Sequence, residues 1–199
     1  HAKLKFIIRL LMLAVLLIAV VGCSSKSNDE SGDTATSSSG EPKKGGEAVF
    51  AFGTDLSHFD PIKGSVGDDH AFLWPVFDTL ITFTPELVAQ PGLAESWEMP
   101  DEKTIVLHLR EGVTFHDGTP FNAEAVKFNI ERANSEESTV KDLENIESVE
   151  VVDDLTVKLH LSQPDSSIIL ALAERGGMMV SPTAVKEMGD DFAQQPIGA

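Results

Sequence analysis

From Leu93 to Arg132 the hydrophobic pattern changes period once. Thr104–Leu109 alternates: Ile105, Leu107 and Leu109 face one way, Val106, His108 and Arg110 the other, which is the period of a strand. Glu111-Gly112 ends it, and Val113–Phe115 is a short second apolar piece. His116-Asp117-Gly118 reads as a tight turn, because Asp-Gly supplies a residue that tolerates positive φ. Asn122 then caps a helix whose Ala125, Val126, Phe128 and Ile130 form an approximate stripe, with Glu131-Arg132 on the wet side. The order is strand, turn, capped helix.

The same reading extends along the chain. Glu47–Phe52 is apolar on both faces, Val49 and Ala51 opposite Phe50 and Phe52, and is expected as a strand in a buried sheet. A glycine-bearing loop, Gly64-Ser65-Val66-Gly67, leads into a helix expected from Asp68 to Leu80 in spite of Pro75. Glu136–Asn145 is polar and reads as a loop with a helical turn. Val149–Val152 and Thr156–Leu161 alternate around Asp153-Asp154, a hairpin. Ser166–Ala173 is a helix capped near Asp165 and broken by Gly176-Gly177. Met178–Val180 returns as a short strand, and Ser181-Pro182 starts another helix, with the proline in the first turn. Strands alternating with helices define an α/β protein.

The first residues have another logic. Lys3, Lys5 and Arg9 precede the unbroken apolar run Leu10–Val21. As a helix that run is about 18 Å long, against a hydrocarbon core of roughly 30 Å, so residues 1–22 read as an export signal rather than a membrane span. Ser24–Lys44 is rich in Ser, Gly, Asp, Glu and Thr with almost nothing apolar, and is expected to be a disordered tether.

Composition removes some functions. The 199 residues carry 15 Lys and Arg against 32 Asp and Glu, a formal charge of −17. Losing Lys3, Lys5 and Arg9 with a leader takes this to about −20, which repels phosphate backbones and excludes nucleic acid as a partner. The single cysteine, Cys23, has no disulfide partner in the chain. Its setting, Val20-Val21-Gly22 before and Ser24-Ser25 after, resembles a bacterial lipobox, which implies lipidation and anchoring at a membrane surface. His58, His70, His108, His116 and His160 form no His-x3-His pair, and no nucleophile motif or phosphate-cradling loop is present. No catalytic residue, metal site or cofactor is expected.

Leu93-Ala94-Glu95-Ser96-Trp97, Leu109-Arg110-Glu111-Gly112-Val113, Phe115-His116-Asp117-Gly118 and Ala123 to Phe128, in that order and spacing, resemble the signature of the family 5 extracellular solute-binding proteins. Phe59-Asp60-Pro61 resembles the same family's Leu-Asp-Pro turn. The resemblance implies a class II periplasmic-binding-protein-like fold of two lobes that close on ligand by a hinge, with only its N-terminal part present here. It also implies a lipoprotein that captures peptides or a similar small solute for ABC permease and ATPase subunits, on the outer face of the cell membrane. The divisions expected are 1–22 signal, 23–45 tether, 46–76 start of the first lobe, 77–196 inserted subdomain and 197–199 return segment. A secreted, lipid-anchored hydrolase or adhesin is the competing class.

Ligand contacts follow from the same resemblance. In oligopeptide-binding members the positions matching Ser65, Val66 and Gly67 bond the ligand main chain; the alternative is the ordinary start of a helix. Arg175 matches the arginine that meets a ligand carboxylate in nickel-chelate binders, and its planar fork suits that contact; the alternative is a structural salt bridge. Glu136 and Thr139 stand where those nickel binders carry Arg and Trp. Glu136 suits a positive group such as a peptide amine, or is a solvated loop acid. With no Tyr in the chain, a dipeptide, tripeptide or glutathione-like solute fits better than a long peptide.

Overall fold

A computed structural model describes residues 45–56, 58–64 and 69–199. The expected signal, Cys23, most of the tether and Ser65-Val66-Gly67 lie outside the described residues. The chain divides into two compact units, 1–49 and 50–199. Of the first, residues 45–49 are described; they are exposed and form no regular element.

The strand expected over Glu47–Phe52 is not formed. Val49 is 87% exposed, Phe50 79% and Phe52 52%. Apolar alternation marks a segment that can line a sheet, but a strand also needs a partner ladder for its backbone groups.

In the unit 50–199, a four-stranded antiparallel sheet is built from β3 (Ala94–Asp101), β4 (Thr104–Leu109), β5 (Ile146–Asp153) and β6 (Thr156–Leu161) in the order β3-β4-β6-β5. The predicted alternation sets its register: Leu107 lies between Trp97 and Val157, and Ile105 is paired with Leu159. Ile105, Leu107, Leu109, Val157, Leu159 and Leu161 join one apolar core with Val126, Ile130 and Ala133 of helix α2 (Ala123–Ala133). A smaller hairpin pairs β1 (Ile81–Phe83) with β2 (Ala89–Pro91).

Local signals decide where α2 begins. Gly118 has φ of +80°, as Asp-Gly predicts. The Asn122 side chain accepts a hydrogen bond from the Ala125 amide at 3.0 Å, satisfying one of the helix's unpaired donors. Helix α4 (Pro182–Met188) starts as expected, with the Ser181 hydroxyl accepting from the Ala184 amide at 3.1 Å.

Other elements are shorter than expected. Of the helix placed over Asp68–Leu80, Asp68 lies outside the described residues and the rest is reduced to α1, His70–Leu73, since Pro75 lacks the amide that would continue the ladder. The helix Ser166–Ala173 is reduced to α3, Ile168–Ala171, after an Asp165 side chain that accepts from the Ser167 amide at 2.9 Å. Met178–Val180 is extended but not a strand of a sheet: it makes isolated bridges, Thr79 with Met178 and Val180 with Gly198. Three extended pieces, around residues 79, 179 and 198, thus lie side by side over a second apolar cluster of Leu73, Phe77, Met178, Val180, Ala184 and Phe192.

Candidate functional site

The turn Asp60–Gly64 is where the loops converge. Asp60 closes it, its carbonyl accepting from the Lys63 amide at 3.1 Å and its Oδ1 from the Ile62 amide at 3.3 Å. Arg132, in the last turn of α2, grips the Asp60 carboxylate with both Nη1, 2.8 Å from Oδ1, and Nη2, on Oδ2. The Asp60 side chain is 4% exposed and that of Arg132 16%, so this is a two-pronged pair, buried on the Asp60 side and partly buried on the Arg132 side.

The following carbonyls are held from two further directions. The Thr139 amide donates to the Ile62 carbonyl at 2.7 Å, and its Oγ1 lies 3.0 Å from that oxygen and 2.9 Å from the Gly64 carbonyl. Arg175 Nη1 donates to the carbonyls of Pro61 at 3.1 Å and Gly64 at 2.8 Å and to Thr139 Oγ1 at 3.2 Å. Arg175 is 5% exposed. It opens a 3-10 turn, Arg175–Gly177, in which Gly177 packs on the end of α3. Every side-chain hydrogen bond from Arg175 to a described residue runs from Nη1.

Arg175 also lines a cavity of about 410 Å³, together with His70, Thr139, Lys141, Asp142 and Glu174. Burial pushes the Arg175 pKa down, while the charges of Asp69, Asp142 and Glu174 oppose that shift. Three acids thus already act on the Arg175 cation. His70 stacks on Trp74 with ring centres 5.2 Å apart, and its Nε2 stands 3.3 Å from Glu174 Oε2. That approach lacks hydrogen-bond alignment, and among the described residues Nε2 is a buried nitrogen without a hydrogen-bond partner.

Of the residues singled out in the sequence, Thr139 and Arg175 are brought together. Glu136 is exposed on the same loop and is not among those lining the cavity. The sequence reading missed His70, Asp142 and Glu174 as cavity residues. It also missed the Asp60–Arg132 pair, for which the Asp-Pro turn was the only available sign. A larger cleft of about 520 Å³ runs past Trp74, Phe77, Phe83 and Gly92. Its one basic side chain, Arg110, is committed to the Gly92 carbonyl, with Nε at 3.3 Å and Nη2 at 3.0 Å.

Residues 88–199, more than half of the chain, match the family described as bacterial extracellular solute-binding proteins, family 5 Middle. The chain belongs to this family of solute-binding proteins. It is 35% identical over 156 residues to the glutathione-binding protein GsiB of Shigella flexneri, an alignment covering 76% of this chain and 30% of that relative. Among solved structures, NikZ from Campylobacter jejuni in complex with Ni(L-His) aligns with a TM-score of 0.65 and 30% identity, covering 73% of this chain and 30% of the other. DppA from Helicobacter pylori in complex with the peptide STSA aligns with a TM-score of 0.63 and 26% identity, covering 72% and 33%. The fold is α/β, of the class II periplasmic-binding-protein type, and the chain spans about a third of the length of the proteins it matches.

Proposed function

We propose that this chain belongs to the substrate-binding lipoprotein of an ABC importer, which captures a small peptide or peptide-like solute outside the cytoplasm and hands it to a permease driven by ATPase subunits. Membership of the solute-binding family carries this reading. The buried Arg175 narrows the ligand: its Nη1 is occupied by the loop carbonyls, and its other edge takes the ligand carboxylate. The acids Asp142 and Glu174 on the same cavity favour a ligand with an ammonium group, so a zwitterion fits best. The relatives named for glutathione and solved with a tetrapeptide agree with that chemistry. Ser65, Val66 and Gly67, which follow the clamped turn, contribute main-chain contacts in this proposal. The lipid on Cys23 holds the protein at the membrane surface.

Calorimetric titration of the full-length protein with di- and tripeptides, glutathione and a nickel–histidine chelate tests the reading. At least one peptide-type solute should bind without being turned over; binding of none, or hydrolysis of any, overturns it. Arg175→Ala should weaken that solute by about thirtyfold to several-thousandfold, the usual consequence of losing one partner of a buried charged contact. Affinity held within about threefold, with an earlier-melting apo protein, would make Arg175 part of the scaffold only. For the anchor, Cys23→Ala should move the protein from the membrane to the soluble fraction, and a fatty-acid label that persists in the variant would refute it.

A further inference from the structure

We propose that Arg132 is a positioning residue for ligand capture, acting on Arg175 through the turn Asp60–Gly64. The inference rests on the reading of Arg175 as the carboxylate contact. Arg132 does not line the cavity. It grips Asp60, Asp60 closes the turn, and the turn's Pro61 and Gly64 carbonyls hold Arg175 Nη1. A guanidinium fixed by one nitrogen can present its other edge in one orientation only. The placement of those two carbonyls therefore sets the direction of the fork.

The path closes on itself. One turn before Arg132 on the same helix, buried Asn129 bonds both backbone groups of Val180: its Nδ2 donates to the Val180 carbonyl at 2.9 Å and its Oδ1 accepts the Val180 amide at 3.0 Å. Val180 is five residues after Arg175 along the chain. Helix α2 thus holds Arg175 from two sides, through the chain that follows it and through the turn that Nη1 grips. An isolated ion pair would add stability alone. This pair completes a frame around one side chain, and it is the frame that a bidentate contact to a carboxylate needs, since such contacts lose their advantage when the fork is misdirected.

The test uses full-length protein and two probes, tri-alanine as free acid and as C-terminal amide, with calorimetric affinities and apo melting curves. The wild type should prefer the free acid by about tenfold or more, a normal margin for a charged hydrogen-bonded contact. Arg175→Gln should erase the preference. Arg132→Lys keeps the charge without the fork and should cut the preference to about threefold or less while leaving amide affinity within about twofold. The double variant Asp60→Asn with Arg132→Gln guards against loss of folding, because both charges leave together, the Asn oxygen keeps the Ile62 amide bond and its amide nitrogen gains an acceptor in the new side chain at 132. It should melt near the wild type and still lack the preference. If Arg175→Gln loses the preference but Arg132→Lys and the double variant keep it, the positioning role fails and the Arg175 contact stands. A wild type that treats acid and amide alike, or an Arg175→Gln that still discriminates, overturns the Arg175 contact and this inference with it. If neither probe binds, this inference is overturned, and the peptide reading falls with it only if every solute of the titration panel above also fails to bind. An equal fall in both affinities, tracking a lower melting temperature, would show a structural pair only.

Discussion

At the scale of single residues, Asp117 shows how one carboxylate serves several segments. Its Oδ1 accepts from the Thr119 amide at 2.9 Å and the Thr119 hydroxyl at 2.6 Å, and its Oδ2 accepts from Ser181, the residue that caps α4. Burial pushes the Asp117 pKa up, but the bonds from Ser181 and Thr119 outweigh it and leave the pKa below its ordinary value. A carboxylate whose pKa is depressed on folding stabilises above its unfolded value and loses that contribution as pH falls through its folded one. The melting temperature of Asp117→Ala should therefore lie below that of the wild type at pH 7, and the gap should close as pH is taken below about 4. Thermal melts of both proteins across that range check it; a gap that persists in acid would mean that the carboxylate's charge is not what stabilises the turn.

Elements were legible where their determinants are local. Asn122 and Ser181 announce helices that begin at the next residue, each capping the amide three residues on, and Asp117-Gly118 announces a turn from two adjacent letters. Gly177 is different: a Cβ there would stand 1.7 Å from the Leu172 carbonyl oxygen. That close approach of two backbones is invisible in the sequence, where Gly176-Gly177 reads only as a break. The two glycines should respond differently to substitution. Gly118 has open space around it, so Gly118→Val should cost about 1–2 kcal/mol through φ alone. Gly177→Ala must push α3 from the hairpin that it meets through the Ile81 amide and the Leu172 carbonyl, 3.2 Å apart, and should cost at least the 1–3 kcal/mol typical of overpacking. Denaturant midpoints of the two variants give the order; a milder Gly177→Ala would mean that the backbone yields there. The shortened helices and the unformed strand at 47–52 fail for a related reason. Pro75 removes an amide from the helical ladder whatever the apolar pattern around it, and apolar alternation carries no information about whether a neighbouring strand exists.

At the scale of the unit 50–199, the α/β character and the central sheet were readable from periodicity, and family membership from the stretch around Leu93–Arg132. The site was readable only in part. Thr139 and Arg175 stand 36 residues apart and meet, yet their common target, the carbonyls of 61–64, is backbone and leaves no mark in side-chain spelling. Asp60 shows in sequence only as part of an Asp-Pro turn, and Arg132, 72 residues away, reads as a solvent-facing helix residue, whereas its side chain is 16% exposed and paired with Asp60. The ring that they complete also bears on how substitutions combine. A closed linkage differs from a row of independent supports: the first cut opens it, and later cuts find it already open. Changes at Asp60, Arg132 and Asn129 should thus be strongly sub-additive in their effect on Arg175. Evolution within this frame is then constrained jointly, with the three side chains exchanged as a set more readily than one at a time.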